Sequence, residues 1–187
     1  MGGIERTYTL IYRIDAGGRI SYVNSVWSDF ALKNQGESVL PERVLGTRLL
    51  EAVTDRTVRE MYQWMIRRAR EGVPARFCYR CDAPDKRRTF EMSIRQIADG
   101  QVEFASTLLH EEARPAVALL ETTAQREERM LRVCSWCQKV ALPDGAWVPV
   151  EEAVNTLRLM EAERMPHITH GICGGCKTEM KASIGLK

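Results

Sequence analysis

The chain has 187 residues, 44% of them apolar and 28% charged, an ordinary balance for a globular protein that buries a core. Its 27 basic residues nearly match its 25 acidic ones, and a net charge of +2 excludes a global pull towards nucleic acid or membrane. No run is apolar and long enough to span a bilayer, and the start, MGGIERTYTLIYRID, lacks the apolar stretch of a signal peptide, so a cytoplasmic location is expected.

Residues 7–14 alternate, with Tyr8, Leu10, Tyr12 and Ile14 on one face, which predicts a half-buried strand. Asp15-Ala16-Gly17-Gly18 turns the chain, and Arg19 to Val23 resumes as a second strand. Asn24 or Ser25 caps a short helix through Val26, Trp27, Phe30, Ala31 and Leu32, and Lys33 to Thr47 reads as loop. The clearest helix opens at Thr54 or Asp55. Val58, Met61, Tyr62, Met65, Ile66 and Ala69 form its buried stripe, and Gly72 and Pro74 stop it.

Three strands follow, over 76–82, 89–97 and 101–110. Asp99-Gly100 is a two-residue hairpin turn, in which both central residues must accept positive φ. Cys78 and Cys81 fall within the first of these strands. Side chains three apart on a strand face opposite ways, so this pair cannot chelate without a bulge, and one exposed and one buried thiol are expected. His110 at the end of the last strand reads as a solvated side chain rather than a haem ligand. Between 67 and 95, Arg67, Arg68, Arg70, Arg76, Arg80, Lys86, Arg87, Arg88 and Arg95 outnumber Glu71, Asp82, Asp85 and Glu91, an excess that a polyanion could use. The strand alternation assigns most of them to a solvated outer face.

This element order resembles the PAS fold, in particular through Tyr12-Arg13-Ile14-Asp15-Ala16-Gly17-Gly18-Arg19-Ile20 followed by Tyr22-Val23-Asn24. The resemblance covers roughly residues 5–112. It implies an α+β fold with a PAS-like five-stranded antiparallel sheet and helices on one face, and a role as sensor or interaction module with an unassigned or absent small ligand. From Arg114-Pro115 to Arg132, Val117, Leu120, Ala124, Met130 and Leu131 suggest a connecting helix, which in PAS proteins commonly pairs with a second subunit. A homodimer through the PAS domain or this helix is therefore expected.

The remainder centres on two C-x-x-C knuckles, Cys134-Ser135-Trp136-Cys137 and Cys173-Gly174-Gly175-Cys176. Two such turns brought together supply four soft donors in a tetrahedron, which suits a structural Zn²⁺ with no position left open. Gly174-Gly175 would permit unusual turn dihedrals. His170, three residues before Cys173, is a candidate replacement ligand, a hydrogen-bond partner of a ligand, or a packing residue. Between the knuckles, Pro143-Asp144-Gly145 turns between two extended pieces. Pro149 then opens a helix with Glu151 and Glu152 in its first turn and Ala153, Val154, Leu157 and Met160 on its apolar side, and Pro166 ends that region. Residues after Cys173 read as helix, placing thiolates near a helix N-terminus.

Over residues 131–177 the pattern resembles a Cys-rich module appended to bacterial signalling proteins, through Cys134, Trp136, Cys137, Trp147, His170, Gly171, Cys173 and Cys176. The expected organisation is a PAS-like sensor over 1–112, a connecting helix over 113–132 and a small zinc-knuckle domain over 133–187. No phosphate-cradling loop, kinase motif or nucleophile elbow is present, and three histidines leave little for a His-based catalyst. The expected function is a non-catalytic regulatory protein that binds a signalling partner. A nucleic-acid-binding regulator and a thiol redox switch are the alternatives.

Overall fold

The structure is a computed structural model that describes residues 8–183 and 185. Thr7, the expected first strand residue, and residues 1–6 lie outside them. The architecture is α+β, with five α-helices among the described residues and two sheets.

The first sheet is antiparallel, in the order β2-β1-β5-β4-β3, and uses β1 (Thr9–Ile14), β2 (Ile20–Val23), β3 (Ala75–Arg80), β4 (Lys86–Gln96) and β5 (Val102–Ala113). Alternation sends Tyr12, Ile14, Phe77, Phe90, Met92, Ile94, Val102 and Phe104 inward. Helix α1 (Ser25–Lys33) is capped by Asn24, which does two jobs. Its Oδ1 accepts from the N–H groups of Trp27 at 3.0 Å and Ile11 at 3.1 Å, and its Nδ2 donates to the Thr9 carbonyl at 2.9 Å. One amide thus fixes both the helix start and the edge of β1. After the short helix α2 (Pro41–Val44), α3 (Arg56–Arg70) starts at Asp55, whose carboxylate accepts from the Val58 N–H at 2.9 Å. Val58, Met61, Met65, Ile66 and Ala69 are buried against the sheet, the stripe expected from 3.6-residue periodicity.

Asp99 (φ 47°) and Gly100 (φ 74°) both lie in the left-handed region, which only the primed hairpin turn demands. On the far side of β4, Thr89 opposes His110 while Phe90 opposes Leu108, so Leu109 is the extra residue of a bulge.

The expected connecting helix over 113–132 is not formed. Strand β5 runs on to Ala113, opposite Lys86. A single 3₁₀ turn follows at Ala118–Leu120, and Arg126–Cys134 is strand β6. That strand pairs in parallel with β9 (Met165–Gly171), some forty residues later in the chain. A ladder to a distant strand satisfies the backbone that a local helix would otherwise serve, and local spacing carries no trace of it. Leu131 and Val133 are buried, whereas Met130, counted in the helical stripe, is exposed.

The second sheet has the order β8-β7-β6-β9, with β7 (Val140–Ala141) and β8 (Trp147–Val148) joined by the expected Pro143-Asp144-Gly145 turn. Helix α4 (Val150–Thr156) follows Pro149, with Glu151 and Glu152 in its first turn. Two features depart from the expected pattern. Arg158 is left-handed (φ 51°), so the helix ends before Met160, which is exposed. Pro166 does not end a region; it lies within β9, opposite Glu127 next to a register shift, where a residue lacking an N–H is tolerated. Helix α5 (Gly174–Ser183) closes the described fold.

One buried cluster joins the two parts. Val58, Met61, Tyr62 and Met65 of α3 and Phe77 of β3 pack with Cys134, Trp136, Cys173 and Met180. A second cluster, with Leu119, Val133, Val140, Ala153 and Leu159, lies beneath α4. No helix among the described residues is long and apolar enough to cross a membrane.

Candidate metal centre and cavity

The two knuckles meet. The Sγ atoms of Cys134, Cys137, Cys173 and Cys176 all lie within 4.8 Å of one another, with Cys134 and Cys173 buried and the other two half-buried. Cys137 Sγ and Cys173 Sγ are 3.7 Å apart, close to the ~3.8 Å edge of a tetrahedron with metal–sulfur bonds of ~2.3 Å. Four sulfurs so placed could hold a metal ion such as zinc.

The parallel β6–β9 pair makes this meeting possible, because it sets Cys134 opposite Gly171 and so brings both knuckles off the same end of the sheet. The Ser135 N–H donates to the Gly171 carbonyl at 2.8 Å, and the Cys173 N–H points to Cys134 Sγ at 3.4 Å. A Cβ at Gly171 would sit 2.8 Å from Cδ of the exposed Arg132 side chain, which would have to shift to admit it. Gly174 and Gly175 are different. They open α5 without positive φ, and a Cβ at either would meet open space. The left-handed residue of the knuckles is Gln138 (φ 59°), whose N–H returns to the Cys134 carbonyl at 3.0 Å.

Burial and mutual proximity shape the thiols. Burial pushes Cys137 up to about 11, and burial first, then its sulfur neighbours, push Cys176 higher still. Burial would also raise Cys173, but the Cys176 N–H at 3.4 Å and the surrounding thiols outweigh it and hold Cys173 below its ordinary value. Without a cation the cluster thus opposes ionisation of Cys137 and Cys176, and a divalent ion is what would let all four serve as thiolates. His170 is not among the residues whose ligand atoms meet there. It occupies an exposed position on β9 opposite Val133.

The Trp136 side chain packs against β3 and α3. Its ring is buried, 6.0 Å from Phe77 and 6.3 Å from Tyr62 between centroids.

The PAS resemblance implied an unassigned or absent small ligand and named no residues for it. A cavity of about 1130 Å³ lies between the first sheet and α1, walled by Tyr12, Trp27, Phe30, Tyr62, Tyr79 and Phe90. Burial raises Tyr62 to about 12 and Tyr79 further, so both stay protonated, and the Tyr79 hydroxyl donates to Ser106 Oγ at 2.9 Å. Its polar end holds Arg88, buried to 6% exposure, and Asp82, whose carboxylate pairs with Arg80 and, at 3.2 Å, with Arg114. The signal was present in β4, where Arg88, Phe90, Met92 and Ile94 share the inward face. Cys81 also lines the cavity, half-buried just beyond β3 and raised in pKa by burial, while Cys78 is exposed on the other face. His110 is exposed near Glu112.

The arginines of 67–95 are largely engaged. Arg70 donates to the carbonyls of Gly100 and Asp15, and Arg68, Arg76, Lys86, Arg87 and Arg95 pair with Glu71, Glu91, Glu111, Glu112 with Glu151, and Glu103, respectively.

No family model and no curated protein matches the chain. Among solved structures, it is similar to a domain of HTR-like protein from Haloarcula marismortui ATCC 43049. The two are 16% identical, with a TM-score of 0.37 over 56% of this chain and 100% of that one. At that score the likeness defines neither fold nor function.

Proposed function

We propose that the chain is a non-catalytic regulatory module of the PAS type. A small molecule in the aromatic cavity biases a structural zinc module, and a signalling partner reads the zinc module's surface. The observation that carries this reading is Tyr62, which lines the cavity and whose ring lies 6.3 Å from that of Trp136, between the first two cysteines. The cavity and the metal knuckle therefore share a wall. Zinc suits four sulfurs spaced for a closed tetrahedron, a set that leaves no position for a reacting water. The segment over 120–122, which touches the cavity and leads into β6, is a second link between them.

Coupling between two sites is reciprocal, so it can be tested from the metal side without knowing the ligand. Native mass spectrometry should show one zinc per chain. Chelation should then raise amide hydrogen exchange at the knuckles, at Tyr62 and over 79–84 on the cavity wall, while the Asp99-Gly100 turn, which lines no part of the cavity, changes little. Exchange on the cavity wall that ignores the metal would overturn the coupling.

A further inference from the structure

We propose that the cavity takes an aromatic carboxylic acid whose carboxylate is held by Arg88. This rests on the reading of the cavity as a ligand site.

Arg88 is a cation in an unusual place. It is 6% exposed and stacks over the Phe30 ring at 4.9 Å. Its Nη2 donates to Asn34 Oδ1 at 2.7 Å, an acceptor without charge, and the Asn34 amide is oriented for this by its own bond to the Phe30 carbonyl at 2.7 Å. The Arg88 Nε–H is buried without any hydrogen-bond partner among the described residues. No described carboxylate lies within ion-pair distance of the guanidinium.

The nearby anions are occupied. Asp82 already serves Arg80 and Arg114 and meets Arg88 only through its backbone N–H at 3.2 Å. Glu111, the cross-strand neighbour of Arg88, is taken by Lys86 Nζ at 2.8 Å. Burial keeps the Cys81 thiol protonated despite the adjacent guanidinium, so it supplies no counter-charge. A desolvated guanidinium with an orphan donor is costly unless an anion completes it, and a planar carboxylate matches its fork.

The rest of the cavity selects the body of that anion. Its walls are aromatic, and its volume of about 1130 Å³ reaches the upper end of small-molecule sites, which run to roughly 1,000 Å³. Rings stack on such walls, whereas an inorganic anion would leave them unfilled.

The test uses the full chain and two probes of one shape, 2-naphthoate and the neutral 2-naphthamide, in isothermal titration calorimetry at neutral pH. The acid should bind at least about tenfold more tightly than the amide, the advantage of a hydrogen-bonded charge pair. Arg88→Met should erase that advantage and Arg88→Lys should keep part of it. Equal binding of acid and amide would overturn the carboxylate assignment while leaving a ligand cavity in place. Survival of the acid's advantage in a natively folded Arg88→Met variant would do the same. Failure of both probes to bind at about 1 mM would remove the aromatic-acid class altogether. If Arg88→Met fails to fold, the comparison of acid and amide on the unmodified chain decides the matter. Each of these outcomes is separate from the exchange experiment, which uses no ligand.

Discussion

The Trp136 carbonyl accepts the backbone N–H of Arg80 at 2.7 Å, so the first cysteine knuckle hydrogen-bonds to the last residue of β3. β3 is the outer strand of the first sheet, and an outer strand otherwise presents unpaired backbone groups. The knuckle therefore covers part of that edge while its indole fills the space between Phe77 and Tyr62. The end of β3, from which the chain enters the cavity wall at Cys81 and Asp82, is thus hydrogen-bonded to the knuckle.

The Trp136 ring is buried to 5% exposure, yet its Nε1–H has no hydrogen-bond partner among the described residues. Its contribution is therefore packing, offset by an unsatisfied donor. Trp136→Ala should destabilise the protein by about 3–5 kcal/mol. Trp136→Phe should cost much less, about 1 kcal/mol, because it keeps an aromatic ring and removes the orphan N–H. Urea denaturation of the three proteins checks this; equal losses for Phe and Ala would mean that the N–H has an acceptor.

Replacing one sulfur should affect the whole fold, because Cys134 and Cys173 belong to the same buried cluster as α3 and β3. Cys134→Ser should lose zinc and lower stability by at least about 3 kcal/mol, or Tm by roughly 6–12 °C. Excess chelator should reproduce that shift in the unmodified chain and add nothing to the variant. Cys78→Ser, at an exposed thiol outside the cluster, should leave both metal content and Tm unchanged.

Local chemistry made much of this molecule legible. Period-two alternation placed the strands of the first sheet, the α3 stripe followed helical spacing, Asp99-Gly100 announced its turn, and the paired C-x-x-C spacing picked out four residues whose sulfurs converge. What escaped was set by distant partners. The spacing of β6 suits a helix because its ladder is made with a distant strand, β9, and His170 reads as a candidate ligand because proximity in sequence says nothing of which strand position meets the sulfurs. Arg88 sits among arginines that strand alternation sends to solvent, yet its register with Phe90 and Met92 assigns it inward. A charge on an apolar face reads as noise until the cavity it borders is visible.

Asp82 ties the cavity wall to the second part of the chain. Its side chain is fully buried and meets Arg114 at 3.2 Å; Arg114, itself 4% exposed, also donates to the carbonyls of Ala83 and Pro84 and pairs with Glu151 of α4 at 3.0 Å. Removing one partner of a buried pair leaves the other desolvated without compensation. Asp82→Asn should therefore cost about 3–5 kcal/mol, whereas Glu151→Gln, at a partly exposed carboxylate, should cost only about 1 kcal/mol. Chemical denaturation resolves the two, and comparable small losses would show that Arg114 needs no buried anion.

Glu103 supplies a pH dependence. It stands between Arg13 and Arg95 on neighbouring strands of the outer sheet face, bonded to Arg95 at 2.6 Å and to Arg13 at 2.8 Å, with its own side chain 5% exposed. Burial acts to raise its carboxyl, but the hydrogen bonds from Arg95 and Arg13 prevail, and its pKa lies below the ordinary glutamate value. The unfolded chain, with glutamate near about 4.3, therefore binds this proton more readily than the folded one, so stability rises with pH through that window. The contribution is fully present above the unfolded value and is lost as pH falls through the lowered folded one. Glu103→Gln should cost about 2 kcal/mol at pH 7, and the gap from the unmodified chain should close as urea midpoints are followed down towards pH 3. A gap that stays constant across that range would mean that the two arginines stabilise an uncharged side chain equally well, and the ion triad would then contribute through shape alone.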